Sequence, residues 1–198
     1  MHVKSELVSY FLLSSFLFRV PQMTRESNRP IDDEDALCEV DLEGTGRELT
    51  PLAQQFIEAG RASFKTVDEF GFVPSNYEML WSKLDALPRG KFCELGSGFG
   101  IATGLAEILG FEAQGVEISP ELVQASQTLL AKFGLLARIK CGDLLQWREQ
   151  ADVFFVYSWP GQVADIERMF AAIASPQTRL LICYGQDDMR CKMLRPNA

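Results

Sequence analysis

Lys91-Phe92-Cys93-Glu94-Leu95-Gly96-Ser97-Gly98-Phe99-Gly100 is the stretch that decides how this chain is read. A short apolar run passes into three alternate glycines. A helical run from Ile101 to Leu109 follows, and Phe111-Glu112-Ala113-Gln114-Gly115-Val116-Glu117 then makes a second short strand ending in a carboxylate. Strand, glycine turn, helix and strand in that order is how an open α/β sheet builds a nucleoside site. The glycines allow a tight turn and close approach of the backbone to a ligand. N–H groups at the start of the helix are expected to face the ligand's anionic end. Glu117, at the tip of the neighbouring strand, can accept two hydrogen bonds from a ribose diol.

Two cofactors use such a layout. The dinucleotide fingerprint requires Gly-x-Gly-x-x-Gly, but Ile101 stands where its third glycine belongs, and the glycine falls one residue early at Gly100. An acid two residues before the first glycine, followed by Gly-x-Gly-x-Gly, instead resembles motif I of the class I S-adenosylmethionine (SAM) dependent methyltransferases. Glu117 matches that family's ribose-binding acid. The resemblance covers about Phe70 to Tyr184. It implies a Rossmann-like three-layer α/β sandwich with a mostly parallel sheet of order 3-2-1-4-5, SAM as cofactor, and methyl transfer as the activity. Glu94, Gly96, Ser97, Gly98, Gly100 and Glu117 are the cofactor-binding residues it implies here. A glycine-rich turn that holds no ligand is the plain alternative.

Composition narrows the partners. A chain of 198 residues, 47% apolar and 23% charged, supports one well-buried core. Residues 1–48 are expected to be a disordered or mis-annotated lead, and residues 49–198 the SAM-binding domain. A net charge of -8 and a pI near 4.8 leave no basic stripe for a nucleic-acid backbone, so a small molecule or a basic protein fits better as acceptor. Cys38, Cys93, Cys141, Cys183 and Cys191 show no Cys-x-x-Cys spacing and read as reduced thiols of a cytoplasmic protein. The single histidine is His2, which removes Ser-His-Asp, Cys-His and most zinc chemistry, and no metal is expected.

In chain order, Leu7 to Val20 is apolar but too short to span a membrane, its lead is barely basic, and no small-x-small cleavage site follows. Met23 as the true start of translation stays open. Thr24 to Arg47, with Asp32-Asp33-Glu34-Asp35, reads as a solvated tail. Order is expected from Thr50-Pro51, a cap and a first-turn proline, through Leu52, Phe56 and Ile57 to a stop at Gly60. Ser75-Asn76-Tyr77-Glu78 has the spacing of a capping box, and Met79, Leu80, Leu84 and Leu87 follow as one apolar helical face. Phe72 to Ser75 is either a lid over the cofactor or a hydrophobic staple on that helix.

Beyond the central stretch, Ser119-Pro120-Glu121 starts a helix that Gly134 ends. A third strand is expected over Leu136 to Lys140, leading into Cys141-Gly142-Asp143-Leu144. The resemblance implies that Asp143 accepts from the adenine amino group and that Ile118 and Leu144 sandwich the ring. Read without the family, Asp143 caps a short helix. Val153 to Tyr157 is a continuous apolar strand, and Tyr157, Ser158 and Trp159 at its carboxyl end are the candidate acceptor-site residues. They do not match the Asn-Pro-Pro-Tyr or Asp-Pro-Pro-Tyr signature of amino methyltransferases. No catalytic base stands out among Asp187, Asp188, Tyr157 and Glu78.

The fifth strand, Thr178 to Tyr184, leaves fourteen residues, too few for the C-terminal hairpin usual in the family. Either the sheet stops there, or the tail adds one short strand, or the gene is truncated. An uncovered fifth strand would be an edge for homodimerisation. Phe72-Val73-Pro74-Ser75 and the lack of an inserted substrate domain look somewhat like the small lysine methyltransferases related to those of mitochondrial carrier and ATP synthase subunits. Protein lysine is therefore one acceptor candidate beside small molecules. The alternatives are an inactive SAM-binding protein and an NAD-binding oxidoreductase.

Overall fold

The computed structural model describes residues 36–63, 75–159 and 161–196. Its elements are β1 (Leu37–Val40), α1 (Pro51–Ser63), α2 (Tyr77–Asp85), β2 (Lys91–Leu95), α3 (Ile101–Ile108), β3 (Glu112–Glu117), α4 (Pro120–Lys132), β4 (Arg138–Cys141), a 3-10 turn (Leu144–Gln146), β5 (Val153–Tyr157), α5 (Val163–Ile173), β6 (Arg179–Gly185) and β7 (Asp188–Leu194). They build one seven-stranded sheet of order β1-β7-β6-β5-β2-β3-β4. The run β4-β3-β2-β5-β6 is parallel throughout.

Alternation along the strands sorts the core into two faces. Cys93, Leu95, Phe154, Val156, Leu180 and Ile182 pack with Ile166, Met169 and Phe170 of α5. Phe92, Phe155, Leu181 and Cys183 point the other way, against Leu80 and Leu84 of α2 and Ala102 and Ala106 of α3. Beyond them α1, α2, α3 and α4 share a further cluster through Phe56, Trp81, Leu105 and Leu130. Helices on both faces of a mostly parallel sheet make the expected three layers.

At the β6 edge the tail does add a strand, one of the three outcomes left open, and a second, unforeseen strand joins beyond it. The order 3-2-1-4-5 with a short or missing hairpin omits two strands. A two-residue turn, Gln186-Asp187, is enough to reverse the chain, and β7 runs back antiparallel to β6. β1 then pairs antiparallel with β7, from Leu37 opposite Leu194 to Val40 opposite Cys191. The last strand of the sheet therefore comes from the N-terminal side of the chain. β6 is paired on both sides, which removes the open edge on which homodimerisation was expected.

The N-terminal tail departs from expectation. The expected boundary between residues 48 and 49 falls inside continuous structure that starts by Ala36. Polar composition left little surface to bury here, but Leu37 enters the core, and hydrogen bonds to α2 fix the rest. Lys83 Nζ donates to the Leu42 carbonyl at 2.6 Å, Thr45 N donates to the Ser82 carbonyl at 3.1 Å, and Arg47 pairs with Asp85 at 3.0 Å. Readings made for residues 1–35 and for Phe72 to Pro74 lie outside the described residues.

Local signals hold with small shifts. Thr50 Oγ1 accepts from Ala53 N at 3.2 Å at the start of α1, and Ser119 Oγ accepts from Leu122 N at 3.3 Å at the start of α4. α1 runs past Gly60 to Ser63, because Gly60 is a packing point: a methyl placed on it would stand 2.5 Å from Ile101 Cδ1. The cap of α2 is Asn76, accepting from Met79 N at 2.9 Å, one residue later than the capping-box reading.

Candidate cofactor site at the tips of β2, β3 and β4

The glycine loop connects β2 to α3. Gly96, Gly98 and Gly100 have φ of 73°, 52° and 69°, left-handed values that a side chain would strain. This geometry turns the amides of Gly96 and Ser97 onto the Val116 carbonyl, both at 2.9 Å, and tethers the loop to β3. Gly98 N donates instead to Glu117 Oε2 at 2.8 Å. Ser119 N donates to Glu117 Oε1 at 2.9 Å, so each oxygen of this buried carboxylate holds one backbone amide. A carboxylate has about four acceptor positions, which leaves Glu117 capacity for a diol.

Glu94 is equally buried but differently engaged. Its Oε2 accepts from Thr103 N at 2.8 Å and from Thr103 Oγ1 at 2.6 Å, both from the first turn of α3. Burial pushes its carboxyl up to about 8, against the lowering effect of the two Thr103 bonds, and the nearby Glu117 adds to the rise. The amides of Gly96, Ser97, Gly98, Gly100 and Thr103 are all bonded within the protein. The expected row of free amides facing an anion is therefore much reduced, and a protein acid already meets the N-terminus of α3.

Beyond β3, Ile118 is 70% exposed. Glu117 pairs with Cys141, and Gly142 N donates to the Glu117 carbonyl at 2.9 Å, which brings Asp143 and Leu144 beside the same strand tip. A methyl placed on Gly96 would stand 3.5 Å from Leu144 Cδ2, so Leu144 borders the glycine loop. Asp143 caps the 3-10 turn, its Oδ1 accepting from Leu145 N at 2.9 Å. Its Oδ2 accepts from Gln146 Nε2 at 3.4 Å.

The three acceptor candidates separate. Ser158 is buried, and its hydroxyl donates to the Cys183 carbonyl at 2.7 Å, which ties the end of β5 to β6. Tyr157 is half-buried, and Trp159 is 44% exposed on the rim. Sequence reasoning passed over Thr103 and Tyr77. Thr103 is the lone polar residue among the buried positions Ile101 to Ala106, a signal that was there to be read. Tyr77, at the start of α2, is buried beside Glu94, and burial first and the acid second raise its hydroxyl far above the usual tyrosine range. Among the described residues no group of three or more His, Cys, Asp or Glu could hold a metal ion, and no helix is long and apolar enough to cross a membrane.

Solved structures share this architecture. An RNA methyltransferase from Salinibacter ruber, in complex with S-adenosyl-L-homocysteine (SAH), matches with a TM-score of 0.50 at 17% identity, over 77% of this chain and 95% of that one. The SAH-bound methyltransferase PaMTH1 from Podospora anserina matches with a TM-score of 0.53 at 19% identity, over 69% of this chain and 63% of that one. The fold is that of the SAM-dependent methyltransferases. A third example of this methyltransferase fold, from Thiobacillus denitrificans and bound to SAH, has a TM-score of 0.50 at 19% identity, over 69% of this chain and 56% of that one. The chain thus spans less than two thirds of the length of the latter two proteins. No family model matches the sequence, and no curated protein matches it.

Proposed function

We propose that this chain is a SAM-dependent methyltransferase whose acceptor is a small molecule or a protein, with protein lysine among the candidates. The observation that carries the reading is the 2.8 Å bond from Gly98 N to Glu117 Oε2. It brings the glycine turn and the ribose-type acid, read separately from the sequence, to a single point on the sheet. The residues present fit the cofactor. Glu117 keeps acceptor capacity, Ile118 is exposed beside it, and the buried Ser97 hydroxyl within the loop has no hydrogen-bond partner among the described residues.

In this reading Glu117 takes the ribose diol, Asp143 the adenine amino group, and Ile118 and Leu144 the two sides of the ring. Gly96, Ser97, Gly98 and Gly100 line the remainder, and Glu94 supports the loop from beneath. Bound SAM supplies a methyl group already activated as a sulfonium. The chain's own task is to hold that carbon in line with the acceptor and to exclude water, positioning that is worth roughly 7 to 11 kcal/mol in well-oriented reactions. Trp159 and Tyr157, at the carboxyl end of β5, are the side chains placed to border the acceptor.

Five free thiols support a cytoplasmic location as part of the same proposal. The test is calorimetry with SAM and with NAD, followed by turnover of labelled SAM against a lysate. Binding of SAM with transfer of label supports the reading and identifies the acceptor class. Binding without transfer would make the chain an inactive SAM-binding protein, and preference for NAD would overturn the cofactor.

A further inference from the structure

Two hydrogen bonds close the glycine loop into a ring. Glu94 Oε2 accepts from both the amide and the hydroxyl of Thr103, nine residues further on. Between these two residues lie Gly96, Ser97, Gly98 and Gly100, so one carboxylate oxygen anchors the loop at both ends. From inside the ring Gly98 N reaches Glu117 Oε2. Thr103 is fully buried and has no room to withdraw toward β3: a methyl placed on Gly115 would stand 2.9 Å from Thr103 Oγ1 and 2.8 Å from Ser97 Cβ.

We infer that Thr103 is a positioning residue of the cofactor site, whose hydroxyl, by holding Glu94, sets where the Gly98 amide and the Glu117 carboxylate meet. The inference rests on the SAM reading above. Any residue but proline supplies the amide at this position, whereas a hydroxyl on Cβ is particular to threonine and serine. Valine has the same shape and makes only the amide bond. Holding the loop before the ligand arrives spares the ordering that binding would otherwise require.

The groups facing Glu94 are Glu117 from β3, Tyr77 from α2 and its chain neighbour Cys93, with Arg61 of α1 standing 5.7 Å from the Tyr77 ring. Removing the hydroxyl withdraws a bond that favours the ionised form, so the Glu94 carboxyl titrates above about 8 in such a variant.

The experiment compares the full chain with Thr103→Val, Thr103→Ser and Thr103→Ala. It follows the Gly98 amide resonance by NMR, SAH affinity by calorimetry and the Glu94 carboxyl titration by carbon NMR. Thr103→Val is expected to weaken SAH about tenfold, the upper end of the loss associated with one ordinary hydrogen bond. It also shifts the Gly98 resonance and raises the Glu94 titration, and Thr103→Ser restores all three. Where Thr103→Val fails to fold, Thr103→Ala carries the same expectations. Unchanged SAH affinity and an unmoved Gly98 resonance in the valine variant, or a serine variant as weak as valine, would overturn the assignment. A parent chain that binds neither SAM nor SAH sinks the cofactor reading instead, and the Gly98 resonance then decides on the clamp by itself.

Discussion

Glu94 and Glu117 stand at the tips of adjacent parallel strands, each 7% exposed, and are bonded to different parts of the molecule. Glu94 spends one oxygen on the first turn of α3, and burial, with Glu117 adding to it, pushes its carboxyl up to about 8. Glu117 divides its oxygens between the amides of Gly98 and Ser119, in the loops that follow β2 and β3. Two acids with the same burial therefore do different work: the first fastens a helix, and the second joins the loops that follow β2 and β3. Burial alone would not have separated them, but their partners do.

The largest effect expected from this contrast is at Glu117. Glu117→Ala removes the acceptor of two backbone amides and, in the proposed function, of the ribose, and should weaken SAM binding by about 1.5–3 kcal/mol in calorimetry. Unchanged affinity would take Glu117 out of the site.

At Glu94 the expected effect lies in pH dependence. Its folded carboxyl binds a proton more tightly than the usual glutamate value of 4.5, so the stability it contributes is present below that value and is lost as pH rises through about 8. Glu94→Gln should flatten that slope in denaturant titrations across the window. Equal slopes in parent and variant would erase the difference between the two acids.

Ile118→Ala tests the residue after β3 with a smaller step. At 70% exposure the side chain adds little to the fold, so stability should stay within about 0.5 kcal/mol. SAM affinity should fall by about 1 kcal/mol through lost apolar contact. A variant that loses stability but keeps its affinity would place Ile118 outside the site.

Asp143→Asn should do least. Asparagine caps as well as aspartate, so denaturation should be unchanged and the loss of SAM affinity smaller than at Ile118. A larger loss would move Asp143 from the kind of acid that Glu94 is to the kind that Glu117 is.

Much of this half of the sheet was legible along the chain, because β2, the glycine loop, α3, β3 and the cap of α4 are consecutive and each is set by local chemistry. Val153 to Tyr157 was read to the residue, since an uninterrupted apolar run is what a doubly covered strand requires. The β6 edge was not legible. Leu37 to Val40 is a four-residue strand in a polar neighbourhood, and its partner β7 begins about 150 residues later. Nothing in the local pattern of either segment names the other. Ser158 likewise looked like an acceptor-site residue from its place after β5, but its hydroxyl belongs to the Cys183 carbonyl on β6.

The sequence by itself determined where the backbone must turn and which acids stand at strand tips, because glycine spacing, caps and apolar runs act over a few residues. Only the tertiary structure decided what those acids hold, that the first turn of α3 already has its acceptor in Glu94, and that a strand from the N-terminal side joins the sheet. These depend on which segments meet across the sheet, and such contacts arise from packing between distant parts of the chain.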